Sequence, residues 1–296
     1  MKAYWAVFAA NLLFGINFSM VKFISPHYIQ AFGLNFIRVL VTVILFWLLF
    51  ALKPGKGGID KKDIPRFLLC ALTGVAINQL LFIKGLTLTT PVHAALLILI
   101  TPVFILMIAV IAGNEKMSLI KLLGLLLGIG GSALLILSKE NSGIGSDVLL
   151  GDVLVVINAI SYALYFMLVK PLMQKYSALH VIRWVFTFGI VLITPFCWGQ
   201  FSNTNWDAFG IEQFAALLFI VLGATFFAYL FTVYGLQHLS ASAAGAFIYL
   251  QPVFSSLFSF LFFREEMSWP KIVAALLIFS GVFFVNKKEN TLAPLK

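Results

Sequence analysis

The residues with most chemistry to offer are amides and phenols set inside long apolar runs. Asn11 and Asn17 fall in the first run, Asn78 and Gln79 in the third, and Asn158, Tyr162 and Tyr165 in the sixth. Thr225 and Tyr229 follow in the eighth, Tyr249 and Gln251 in the ninth. A primary amide carries two donors and an acceptor, and burying it unpaired costs roughly 2–7 kcal/mol. Such groups turn towards other helices or a wet cavity, not towards lipid. They either tie helices together or line a cavity with aromatic walls, where tyrosine offers a ligand an apolar face and a hydroxyl. The chemistry of these residue types is reversible binding of a solute.

Covalent chemistry has little to work with. Every Asp and Glu falls in a loop or at the edge of an apolar run. His27, His93, His180 and His238 lie near run edges without metal-ligand spacing, and Cys70 and Cys197 read as small buried thiols. No nucleotide loop or Ser/His/Asp set is visible, and no metal or cofactor is implied. This argues against a primary pump and a membrane hydrolase.

Arg38 and Arg183 stand a turn or two inside their helices, where a guanidinium must snorkel, pair or serve a gate. Lys22 and Lys84 lie nearer helix ends, and snorkelling accounts for them. Pro102 and Pro252 fall near the centres of the fourth and ninth runs. Proline removes a backbone hydrogen bond, so each marks a helix bend, either a packing kink or part of a solute path. Glu115 and Glu265 precede Met-Ser at helix starts, where a carboxylate suits the helix N-terminus. Gly124, Gly128 and Gly131 give one helix a close-packing face, for the bundle interior or for a homodimer.

These residues need elements that hold them at one depth. The chain has 296 residues, 61% hydrophobic and 10% charged. Soluble domains carry about 25% charge, so the bilayer must serve as solvent here. Ten runs are long enough to span, near 3–24, 31–52, 65–86, 92–112, 119–137, 150–170, 179–198, 214–236, 242–263 and 269–286. The first is read as a retained helix, not a signal. The net charge of +9 sits mostly in short loops, which points to membrane orientation and not to nucleic acid. With the N-terminus inside, fourteen of the 20 Lys and Arg fall on the inner side, so both termini are expected in the cytoplasm.

The chain is also written twice. Gly85-Leu86 recurs as Gly235-Leu236, Pro102-Val103-Phe104 as Pro252-Val253-Phe254, and Glu115, Met117, Ser118, Lys121 and Gly131 as Glu265, Met267, Ser268, Lys271 and Gly281. Earlier in each half Val21-Lys22 matches Val169-Lys170, and Ile37-Arg38 matches Ile182-Arg183. Five helices per copy turn the second copy upside down. The expected fold is an all-α integral membrane protein of ten transmembrane helices in two inverted five-helix repeats, an architecture common in transporters.

The motifs resemble those of the drug/metabolite transporter superfamily, and of its EamA family in particular. Phe14-Gly15-Ile16-Asn17-Phe18 with Val21-Lys22 resembles the family's Trp-Gly-Ser-Asn-Phe pattern and following Lys, with Phe14 and Ile16 as departures. Arg38 stands where the family has a Phe-Arg pair. Ala94-Ala95-Leu96, Pro102-Val103-Phe104 and Glu115-Lys116 continue the pattern, and Ala243-Ala244-Gly245, Pro252, Glu265 and Gly281 repeat it. The resemblance covers the whole chain, as one EamA-like repeat over 1–140 and another over 150–288. It implies export or exchange of a small metabolite, an amino acid or an amphipathic compound across an inner membrane by alternating access. The rival reading is a membrane-embedded enzyme acting on a lipid-linked substrate, which would need clustered acids or a metal. A channel or a receptor is a third reading.

Overall fold

The computed structural model describes residues 1–52, 57–88, 97–137, 147–263 and 269–286. All regular structure among them is helical. Lys53, Lys56, His93, Ala94-Ala95-Leu96, Lys139, Arg264, Glu265, Met267, Ser268 and the lysines after Asn286 lie outside the described residues.

The helices are α1 (Lys2–Ile24), α2 (Ala31–Leu52), α3 (Ile64–Ala71), α4 (Ile77–Leu88), α5 (Thr101–Ile111) and α6 (Leu119–Leu137). In the second half they are α7 (Val148–Lys175), α8 (Ala178–Ser202), α9 (Ile211–Leu218), α10 (Ala228–His238), α11 (Ala241–Ala246), α12 (Leu250–Phe263) and α13 (Trp269–Asn286). A π-helical segment, Leu72–Ala76, joins α3 to α4, and another, Phe219–Phe227, joins α9 to α10. Six helical stretches are long and apolar enough to cross a bilayer: Lys2–Val21, Ala31–Leu52, Lys61–Gly85, Leu149–Lys175, Ala178–Ser202 and Ile211–His238. Of the other expected spans, 119–137 and 269–286 coincide with α6 and α13, while the described parts of 92–112 and 242–263 hold α5 and the pair α11 and α12. Large apolar side chains such as Val191, Phe196, Leu276 and Phe283 stay exposed on the outer surface, as lipid contact allows.

Neither proline lies at the middle of a helix. Pro102 is in the first turn of α5, after a turn at Leu99-Ile100. Pro252 is in the first turn of α12, after the 3-10 turn Phe247–Tyr249. The chain restarts a helix at both places instead of bending through one. First-turn N–H groups have no intrahelical acceptor, so proline is tolerated there.

The packing exchanges the halves. α6 lies along α13, and α2 along α8. Gly124 meets Gly281 and Val285 while Gly131 meets Ala274 and Leu277, so α6 and α13 run antiparallel. Gly33 meets Gln200 at one end of the α2–α8 pair and Phe46 meets Phe186 further along, so this pair is antiparallel too. The remaining helices cross over: α1 packs on α10 and α12, and α7 packs on α4 and α5. Gly85 abuts Gly151 and Val155, as Gly235 abuts Ala3 and Val7. The glycine face of α6 is therefore covered within the same chain.

Several helix ends meet on one face. Lys175 pairs with Asp60 and Asp63, and Tyr176 donates to Asp63 at 2.7 Å. Gln237 Nε2 reaches the Tyr176 carbonyl at 3.3 Å, and Arg183 Nη2 reaches the Gly57 carbonyl at 3.2 Å. The Arg183 guanidinium is buried 3.6 Å from the Phe50 ring centre and 4.6 Å from that of Trp47, a cation–π seat. His180 is buried beside it and stacks on Tyr176.

Candidate functional site

A cavity of about 120 Å3 opens between the halves. Asn17, Asn78, Gln79, Asn158, Tyr162, Tyr229 and Gln251 line it, with Arg38, Thr101 and the apolar walls Phe14, Phe82, Ile83, Ile98 and Ile248.

Each π segment runs directly into lining residues, Leu72–Ala76 into Asn78 and Gln79 and Phe219–Phe227 into Tyr229. A π turn widens the helix and loosens its hydrogen-bond ladder, and such turns are frequent at functional sites. Side chains of α7 supply donors to the first one and to the start of α4 after it: Ser161 Oγ gives to the Thr73 carbonyl at 2.8 Å, and Asn158 Nδ2 to the Asn78 carbonyl at 2.5 Å. In the second, Thr225 Oγ1 donates to the Ile220 carbonyl at 2.7 Å and accepts from Arg38 Nε at 3.0 Å. Arg38 on α2 is thereby fastened to the opposite half.

Tyr229 is set by its neighbours. Its ring meets Phe14 and Phe186 edge-on, with centres 5.7 and 5.0 Å away. That clamp directs the hydroxyl to Gln79, whose Nε2 donates to it at 3.2 Å. Gln79 Oε1 and Asn17 Oδ1 remain buried without a partner.

Three expected binding residues do not line the cavity. Asn11 stands behind it, giving Nδ2 to the Val7 carbonyl and accepting from Gln251 Nε2, both at 2.8 Å. It positions Gln251. Tyr165 and Tyr249 are buried in helix contacts because each fills the space left by a glycine. A Cβ on Gly74 would fall 2.5 Å from the Tyr165 ring, and one on Gly128 would fall 2.4 Å from the Tyr249 ring. Arg183 is far from the lining, on the face described above. Lys84 is exposed on α4, and the side chain of Lys22 lies outside the described residues.

Glu115 does reach a helix N-terminus, but in the other half. It accepts from the Ser242 backbone at 3.1 Å and from the Ser242 hydroxyl, at the start of α11, and pairs with Lys121 at 2.9 Å. Burial pushes its pKa up. Hydrogen bonds from Ser242 and Lys121 outweigh that and hold the carboxyl below its usual value.

Phe14, Phe82, Ile83, Ile98, Thr101 and Ile248 were not among the candidate binding residues. The duplication carries a signal for several of them. An offset of 150 places Thr101 on Gln251, Ile98 on Ile248 and Gln79 on Tyr229; an offset of 148 places Phe14 on Tyr162.

Two segments, 1–137 and 149–287, each match the model of the EamA-like transporter family. The chain belongs to the EamA-like transporter family. It is 25% identical to an "Uncharacterized transporter" of Archaeoglobus fulgidus, across 94% of this chain and 95% of that one. It is also 25% identical to "Uncharacterized transporter YetK" of Bacillus subtilis, across 99% and 90%. A "Probable terminal-alkyne amino-acid exporter" of Streptantibioticus cattleyicolor is 23% identical across 97% and 94%. A solved crystal structure, 16% identical and covering 96% of each chain, has a TM-score of 0.81, which shows a shared fold. The protein is a multi-pass membrane protein of a transporter family.

Proposed function

We propose that this EamA-family chain is a secondary transporter for a small organic metabolite, working by alternating access between two inverted five-helix repeats. The observation that carries the reading is the cavity itself. Its polar lining comes from both halves, and much of it from positions equivalent in the two copies. Antiparallel packing of the equivalent pairs α2–α8 and α6–α13 supports inversion, with ten spans in all. The basic residues Lys61, Lys62, Arg66 and Lys175 belong to the face that would lie in the cytoplasm of an inner membrane, with both termini. Rocking of one half against the other would expose the cavity to each side in turn. The relative named as an amino-acid exporter makes amino acids the first class to test, and export or exchange the first direction.

The purified chain in liposomes preloaded with a mixture of unlabelled amino acids should take up a labelled amino acid by counterflow. Empty liposomes should take up less. Equal uptake with and without the internal pool would sink the transporter reading for this class.

A further inference from the structure

We infer that the cavity, on the transporter reading above, holds both charged ends of an α-amino acid: Arg38 takes the carboxylate, and the amide oxygens of Asn17 and Gln79 take the ammonium.

Arg38 is more than nine-tenths buried, yet it lines the cavity. A cation at such depth is costly unless compensated. Thr225 takes only its Nε, and among the described residues no carboxylate lies within ion-pair distance. The remaining N–H groups of the guanidinium form the planar fork that suits a carboxylate held by two parallel hydrogen bonds. Arg38 is the one charged side chain among the described lining residues. One fixed positive charge matches a monoanion, whereas a phosphate dianion would leave a surplus negative charge in the cavity.

The second end follows from the orphaned acceptors. Asn17 Oδ1 and Gln79 Oε1 are both buried, both belong to lining residues, and neither has a donor. Gln79 Oε1 is left over because its Nε2 is committed to Tyr229. An ammonium has three N–H donors and would satisfy the two oxygens, leaving one N–H for the face of Phe14 or Tyr162. These acceptors are neutral, so the ammonium end adds affinity while the carboxylate end dominates it. An amine without a carboxylate would meet Arg38 as a like charge.

The test uses the purified chain in detergent. Its melting temperature is followed with each of the common L-amino acids in turn, at millimolar concentration. The best amino acid is then compared with its amide, its decarboxylated amine and its deaminated acid. The expected result is a saturable rise for at least one amino acid. Affinity should fall about tenfold or more for the amide and the amine, and less for the deaminated acid. R38Q should lose the same factor and stop distinguishing acid from amide, and N17A should weaken the amino acid more than the deaminated acid. The proposal is overturned if no amino acid shifts melting, if the amide binds as well as the acid, or if R38Q still discriminates as the unmodified chain does. The ligand series decides the carboxylate question even where R38Q does not fold. Flux in liposomes of a solute lacking a carboxylate, with amino acids inert, would overturn this assignment and leave the transporter reading intact. Amino-acid binding with the expected discrimination but no flux would do the reverse.

Discussion

Gln79 and Tyr229 are 150 residues apart in sequence and hydrogen-bonded at 3.2 Å across the cavity. That spacing is the offset of the duplication, so equivalent residues of the two copies touch each other. A twofold axis passing between them would place such a pair in contact, and the antiparallel α2–α8 and α6–α13 pairs fit the same operation. The bond should be worth about 1 kcal/mol net. In a double-mutant cycle on thermal stability, Y229F and Q79L should therefore show a coupling of about that size. Strict additivity of the two changes would mean the bond is not formed in the resting protein.

The glycine–tyrosine contacts predict a different kind of damage. Gly74→Ala and Gly128→Ala would drive a methyl into the Tyr165 and Tyr249 rings. Overpacking of this kind typically costs about 1–3 kcal/mol. Both variants should melt earlier, and shrinking the facing ring, as in G128A combined with Y249L, should recover part of the loss. Ligand affinity should change little in whatever fraction stays folded, because neither tyrosine lines the cavity. A selective loss of affinity with unchanged melting would return Tyr165 or Tyr249 to the binding set.

Glu115 links the loop after α5 to the start of α11, and its folded pKa is lowered. A carboxyl with a depressed folded pKa stabilises the protein fully above its unfolded value, about 4.3, and loses that contribution as pH falls through the folded value. Stability should thus drop on the acid side, below about pH 5. E115Q should be less stable at neutral pH and should show a flatter acid limb. An E115Q melting curve parallel to that of the unmodified chain at every pH would mean the carboxylate carries no such linkage.

The sequence made much of this legible, for reasons of length and period. Apolar runs of spanning length locate helices because lipid leaves the backbone no other partner. The amides within them could be expected to face inward, and Asn17, Asn78, Gln79, Asn158, Tyr162, Tyr229 and Gln251 come together at one cavity. Tyr165 and Tyr249 could not be separated from that group by residue type, since only the facing glycines decide their burial. The two arginines show the same limit. Arg38 and Arg183 are equivalent in the repeat, but Thr225 offers Arg38 a hydroxyl where the other copy has Val75, which cannot accept a hydrogen bond. Arg183 settles instead among Trp47, Phe50 and the Gly57 carbonyl. The π segments leave no mark in an apolar run, so the widened turns beside the cavity were invisible.

Topology can be checked directly. In a chain without Cys70 and Cys197, single cysteines at Lys61 and Asn203 should behave oppositely in intact cells. An impermeant thiol reagent added outside should label N203C and spare K61C, because the basic face is expected in the cytoplasm. Lys61 and Asn203 are both exposed, so accessibility is set by side and not by burial. Strong outside labelling of K61C would invert the assignment, and equal labelling of both would defeat the two-sided arrangement.

Energy coupling follows from what the cavity offers a proton. Proton-driven carriers often use an intramembrane carboxylate that binds proton and substrate in turn. Among the described lining residues the charged group is Arg38, which stays protonated in the accessible pH range. The lining amides and hydroxyls do not titrate near neutrality either. A solute bound there should therefore follow its own gradient or exchange with another, with the empty cavity carrying the Arg38 charge back. Liposomes with an imposed pH gradient and equal solute on both sides should show no net accumulation, while a solute gradient alone should drive flux. Accumulation against a solute gradient, driven by the pH difference and abolished by a protonophore, would contradict this. Lys22 and Lys84, near the ends of α1 and α4, and His93, near the edge of an apolar run in the sequence, would then be the groups to replace first.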